Sequence, residues 1–223
     1  MANLITIEQK ILKKNADIAL ENRQEIDRHR VLAVGLVSAP GSGKTSLLEK
    51  TLAALEGRLR TAVIEGDVQT DRDSRRIAAL GVPVVQIVTN GTCHLEARMV
   101  QEALAQVALG DLDLLFIENV GNLVCPSSYE LGEHVRILVM STTEGEDKPL
   151  KYPGMFRKSQ VLVLNKVDLL PYIPYDAEQA VAFARQVNYD LTVFRTSCTT
   201  GEGIEGLAGW LVERVRERRT GPS

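Results

Sequence analysis

Apolar residues fall along this chain in short unbroken runs, and between the runs they recur at helical spacing. The runs are VLAVGLVS from Val31, TAVIEG from Thr61, VPVVQIV from Val82, LDLLFIE from Leu112, VRILVMS from Val135, VLVLN from Val161 and LTVFRTS from Leu191. Most are continuously apolar and do not alternate, the pattern of parallel strands covered on both faces. Helical patterns fill the gaps: KTSLLEKTLAAL, HLEARMVQEALAQVAL, DAEQAVAFARQV and the terminal GIEGLAGWLVERVRERR. Strands alternating with helices predict an α/β fold of three layers, a parallel or mostly parallel central sheet with helices on both faces. Before the first strand, Ile7, Ile11, Ile18 and Ile26 stand at roughly helical intervals among Lys, Glu and Arg. They predict an amphipathic helix within residues 1–30, packed on a domain spanning 31–223. Thr142 to Lys158 is the longest polar stretch without periodicity, and it reads as a functional loop.

Composition changes this picture little. The 223 residues are 44% apolar and 25% charged, with a net charge of −3. That balance points neither to nucleic acid nor to an anionic membrane as partner. The charged N-terminus holds no signal-peptide core and no membrane span, so the chain reads as cytoplasmic. Its three cysteines are unevenly spaced and make no disulfide framework; metal binding or catalysis is their open question.

The chemistry begins where the first strand ends, in SAPGSGKTS. Strand, glycine turn, Gly-Lys-Thr and helix is the setting of a phosphate-binding loop. Pro40, Gly41, Ser42, Gly43, Lys44, Thr45 and Ser46 form it, with backbone N–H groups curling around phosphate at the positive end of a helix. Lys44 reaches the outer phosphates, and the Thr45 hydroxyl is a ligand for Mg²⁺. Ser38 stands where this pattern usually opens on glycine. Downstream, Asn165-Lys166-Val167-Asp168 follows an apolar run. The Asp168 carboxylate accepts from two donors on guanine that adenine lacks, Lys166 lies along the base and Asn165 tethers the two loops. The segment TSCTTGEG places Ser197 and Cys198 at the guanine oxygen, with Cys198 a packing residue there. In FIENVGN, Glu118 reads as a magnesium-side carboxylate and Gly121 as the N–H that faces the outer phosphate. Asp67 is a second such carboxylate or a water-orienting group, whereas Asp71 and Asp73 read as solvated loop residues. No glutamine follows Gly121; Asn122 does, so slow intrinsic GTP hydrolysis is expected.

Cys93 and His94 are adjacent, and the chain has only three of each type. Adjacent side chains point apart, which disfavours a nucleophile–base pair. A buried, unliganded pair remains open beside a metal site. The metal reading gains from Cys125, a few positions past Gly121. Thr92 is expected to cap a helix starting near His94, with Cys93 at its positive end. Thiolate with imidazole accepts Ni²⁺ or Zn²⁺. Three ligands leave one position open or call on a second subunit.

Taken together, APGSGKTSLL, EGDVQTDRD, GTCHLEA, ENVGNLVCP and NKVD resemble the hydrogenase nickel-incorporation GTPases of the HypB family along nearly the whole G domain. The resemblance implies a nucleotide-dependent homodimer that hydrolyses GTP to GDP. It implies a nickel metallochaperone or insertion switch in nickel–iron hydrogenase maturation. It also assigns Cys93, His94 and Cys125 as metal ligands. Another maturation protein and the hydrogenase large subunit are the implied partners. The N-terminal segment has neither the cysteine cluster nor the histidine-rich run of many members, so tight nickel storage there is not expected. The related urease-accessory GTPases carry a Cys-Pro-His motif that this chain lacks. A P-loop small-molecule kinase has no need of NKVD, and a simple metal buffer has none of the P-loop.

Overall fold

The computed structural model describes residues 7–69 and 71–220. Seven strands form one sheet: β1 (Leu32–Ser38), β2 (Thr61–Asp67), β3 (Val84–Val88), β4 (Leu114–Glu118), β5 (Val135–Ser141), β6 (Val161–Asn165) and β7 (Thr192–Thr196). All seven apolar runs are strands. Their order is β3-β2-β4-β1-β5-β6-β7, and every neighbouring pair is parallel. The helices are α1 (Ile7–Arg28), α2 (Lys44–Leu55), α3 (Arg72–Ala78), α4 (Ala97–Leu104), α5 (Lys148–Lys151), α6 (Pro153–Lys158), α7 (Ala177–Val187) and α8 (Ile204–Thr220).

The continuous apolar character of the strands follows from their two covered faces. In β1, Leu32, Val34 and Leu36 pack with α2 and α8, whereas Ala33 faces α4 and Val37 the α6–α7 side. The same division recurs in β4, where Leu114 and Phe116 face one way and Leu115 and Ile117 the other. Period-two geometry makes each strand feed two cores at once. It also brings the C-terminal ends of the strands to one rim, where ligand sites of open α/β sheets lie. Ser38, Asp67, Glu118, Ser141, Asn165 and Thr196 all end strands there.

Four details depart from the sequence pattern. In α1, Ile11 is exposed, and the buried positions are Asn15, Ala19, Asn22 and Ile26; the side chain of Ile7 lies outside the described residues. The helix is amphipathic, but its inner face is part polar because two asparagines saturate backbone groups. Asn15 Oδ1 accepts from Ala97 N at 2.8 Å, and Asn22 Nδ2 donates to Ala97 O at 2.8 Å and Leu131 O at 3.0 Å. The helix expected from His94 starts at Ala97, with Glu96 extended at its cap position. It tightens into turns after Leu104, through bonds from Gln106 N to Ala103 O and Val107 N to Leu104 O. Thr92 therefore caps nothing, and Cys93 sits in a loop. A third departure is α3, over a segment read as loop. The last is Thr142 to Lys158, which contains α5 and α6 and is anchored by the fully buried Met155 and Phe156.

Candidate functional site

The P-loop turn is built by backbone conformation. Gly41 and Gly43 have φ of +76° and +88°, a region that side chains disfavour. A Cβ on Gly43 would also lie 2.7 Å from Asn165 Nδ2. From this turn α2 projects Lys44 and Thr45 into an open cleft of about 440 Å³. Lys44 Nζ lies 2.5 Å from Glu118 Oε1. The Thr45 hydroxyl lies 2.6 Å from the same oxygen and 3.0 Å from Asp73 Oδ2. Ser38, Asp67 and Gly121 line the same cleft. Gly121 is pressed against the P-loop, since a Cβ there would come within 3.1 Å of Pro40 Cα.

Two acidic residues join this cleft beyond those the sequence pointed to. Asp73, read as a solvated loop residue, faces Thr45. Glu65 pairs in register with Glu118 across β2 and β4 and is buried. Glu65, Asp67 and Asp73 offer oxygens within 4.8 Å of one another. Burial first, then the neighbouring Glu118 and Asp67, push the Glu65 carboxyl up to about 8. One oxygen of Glu65 and one of Glu118 are buried without a hydrogen-bond partner among the described residues. Hard oxygen donors with unmet charge are what Mg²⁺ binds, so the residues fit that ion. Register between distant strands carries Glu65 into the site, and no local pattern marks it.

The guanine-type motif is tied to the P-loop by its own side chains. Asn165 Nδ2 donates to Ser42 O at 3.0 Å, and Lys166 Nζ to Gly41 O at 2.7 Å. Lys166 takes a left-handed φ of +63°, which turns the chain into the 3-10 segment holding Asp168. Asp168 is partly exposed. Thr196 Oγ1 donates to Asn165 Oδ1 at 3.0 Å, and Cys198 Sγ lies 3.6 Å from it, so the last loop docks on Asn165. Ser197 Oγ accepts from Thr199 N and Thr200 N at 3.2 and 3.1 Å, which shapes the Ser197–Cys198 turn. Burial pushes the Cys198 thiol up, as suits a packing residue.

A second cluster stands beside the first. Cys93 Sγ lies 3.2 Å from Cys125 Sγ and 3.9 Å from His94 Nδ1, and the three groups gather within 4.8 Å. Two sulfurs each about 2.3 Å from one ion stand at most about 4.6 Å apart, so both thiols fit a single ion. Burial lowers the His94 pKa and favours the neutral imidazole a metal needs. Its ring packs at a 39° tilt against Tyr129, with centroids 4.1 Å apart. His94 Nε2 is buried without a hydrogen-bond partner among the described residues, with Glu96 Oε1 at 3.9 Å.

A parallel sheet whose first strand opens into a P-loop, with NKVD at the next-but-one strand end, defines a P-loop nucleoside triphosphatase. The chain belongs to the CobW/HypB/UreG family, whose nucleotide-binding domain matches residues 32–195. It is 52% identical over 220 residues to hydrogenase maturation factor HypB of Azotobacter vinelandii, covering 98% of this chain and 72% of that one. Among solved structures, HypB from Helicobacter pylori in complex with nickel matches with a TM-score of 0.87 at 36% identity, covering 94% and 99% of the two chains. HypB from Archaeoglobus fulgidus matches with a TM-score of 0.85 at 34% identity, covering 91% and 99%.

Proposed function

We propose that this chain is a GTPase that carries nickel and releases it in nickel–iron hydrogenase maturation. The observation that carries this reading is the gathering of Cys93, His94 and Cys125 within 4.8 Å, where the loop between β3 and α4 meets the loop that leaves the nucleotide cleft at Gly121. In this reading the N-terminal segment 1–30, which holds α1 (Ile7–Arg28), is an appendage of the GTPase domain 31–223. Asp168 reads guanine, and Ser197 and Cys198 close over the base. Pro40 to Ser46 hold the phosphates. Lys44 and the loop N–H groups stabilise charge developing on the transferred phosphoryl group. Thr45, Glu118 and Asp67, joined by Glu65 and Asp73, hold Mg²⁺, which would neutralise phosphate charge there. Gly121 N–H senses the outer phosphate.

Nickel is the cargo, and Zn²⁺ competes for the same thiolate–imidazole set. Three ligands per chain suit an ion that leaves again, with the remaining position open or supplied by the second copy of a homodimer. Another maturation protein and the hydrogenase large subunit are the partners this role requires. The absence of any helix among the described residues able to cross a membrane is compatible with work in the cytoplasm.

The test is equilibrium Ni²⁺ and Zn²⁺ binding with size-exclusion analysis, beside GTP turnover. Cys93→Ala and Cys125→Ala should lose this metal site and keep GTP affinity. Lys44→Ala should abolish Mg²⁺-dependent hydrolysis. Nickel binding that survives Cys125→Ala unchanged would overturn the site, and rapid ATP turnover would favour a kinase-like enzyme.

A further inference from the structure

The cysteine cluster and the nucleotide cleft are joined by six residues, Asn119 to Val124, and two asparagines account for most of their polar contacts. Asn119 is buried at the end of β4. Its N–H donates to Leu36 O at 2.9 Å, and its Oδ1 accepts from Leu95 N at 3.0 Å and Val120 N at 2.9 Å. It is a fixed anchor between the sheet and the residue after His94.

Asn122 is placed differently. It is only partly buried, one residue beyond the glycine seated against Pro40. Its Oδ1 accepts from Val124 N at 2.8 Å, next to Cys125, and its Nδ2 donates to Cys93 O at 3.3 Å. Its side chain therefore bonds the backbone of both cysteine segments. Some P-loop GTPases orient the attacking water with glutamine just after this glycine. Here the corresponding amide is turned away from the cleft and committed to the metal loop. Val124 beside it is 60% exposed, whereas Leu123 and Pro126 on either side are buried, so this end of the segment is seated on the core and presents Val124 outward.

We propose that Asn122 is the positioning residue that ties the cysteine loop to Gly121, so that a shift of Gly121 toward or away from phosphate alters the geometry offered to nickel. This rests on the nickel-carrying GTPase reading above. Asn119 holds the base of the segment still, and movement of Gly121 is carried outward through the Asn122 amide to Cys93 and Cys125. Coupling of this kind is reciprocal: whatever factor the nucleotide imposes on nickel affinity, nickel imposes on the nucleotide.

The test compares nickel dissociation constants in GDP with Mg²⁺ and in a non-hydrolysable GTP analogue with Mg²⁺. The proteins are the full chain, Asn122→Ala and Asn122→Asp. In Asn122→Asp the new carboxylate would still accept from Val124 N but cannot donate to Cys93 O. The wild-type affinities should differ between the two nucleotides by about 5-fold or more, the low end of common allosteric coupling. Both variants should still bind nickel, with the ratio falling to within about 2-fold of one. Thermal melting and GDP affinity check that each variant is folded, and a structural role alone would not erase a ratio between two nucleotide states. A wild-type ratio retained by either variant overturns the proposal, as does a wild-type ratio of one. Wild-type protein that binds no nickel overturns the cargo reading as well, so the two failures are told apart.

Discussion

Glu65 and Glu118 stand in register on β2 and β4, both buried, each with one carboxylate oxygen lacking a partner among the described residues. Lys44 forms its ion pair among the described residues with Glu118. Above about pH 8, where Glu65 ionises, two carboxylates and one ammonium leave a local excess of negative charge among buried groups, an arrangement that destabilises the fold until a cation arrives.

Glu65→Gln should therefore stabilise the nucleotide-free protein at pH 8.5, above the value near 8 to which Glu65 is pushed. A gain of about 1 kcal/mol corresponds to roughly 2–4 °C in melting temperature for a chain of this size. The same variant should need more Mg²⁺ to reach half-maximal GTP hydrolysis. Thermal melts with a Mg²⁺ titration check both; an unchanged Mg²⁺ requirement would remove Glu65 from the ion's site.

Asp168→Asn should shift nucleotide preference from guanine to xanthine, whose base carries an accepting 2-oxo group where guanine has its 2-amino donor and keeps the N1–H. Two charge-assisted bonds at roughly 1.5–3 kcal/mol each imply about 10²–10⁴ in selectivity. Competition binding among GDP, ADP and XDP measures it, and a parent protein indifferent between ADP and GDP defeats the assignment.

Gly66→Ala should weaken nickel binding from a distance. A Cβ on Gly66 meets Leu95 side-chain carbons at 2.7–2.9 Å, and Leu95 is fully buried next to His94. Overpacking of this kind costs about 1–3 kcal/mol and must displace Leu95 or β2. Chemical denaturation and nickel affinity should fall together; a variant as stable as wild type with unaltered nickel affinity contradicts the packing argument.

Far from the cleft, His134 supplies a pH dependence. Its Nδ1 accepts from Ala33 N at 2.9 Å, so Nε2 carries the proton and donates to Asp27 at 2.8 Å. Burial, with Arg23 and Arg218 nearby, outweighs Asp27 and lowers its pKa from 6.5 to about 4. The unfolded chain then binds a proton, between these values, that the folded chain refuses. The stability it contributes, up to about 3 kcal/mol, is complete above about pH 6.5 and lost as pH falls toward 4. Urea unfolding at pH 4.5, 5.5 and 7 should show this slope in wild type and a flatter one in His134→Gln.

What the sequence by itself determined was everything carried by near neighbours. Seven apolar runs became seven strands, because a parallel strand covered on both faces must be apolar throughout. The P-loop and NKVD were legible because each places its groups within a few residues on one turn. Cys93 and His94 were conspicuous by adjacency, and Cys125 joined them through its closeness to Gly121. Tertiary structure decided what depends on distant partners. Strand order and register set Glu65 beside Glu118, and the fold of α3 swung Asp73 onto Thr45. The inner face of α1 turned out to include Asn15 and Asn22, since the groups they satisfy, around Ala97 and Leu131, lie over 70 residues away. Whether Asn122 faced water or the cysteines was likewise settled only by the meeting of two loops, because an amide commits to whichever donors and acceptors the fold brings within about 3 Å.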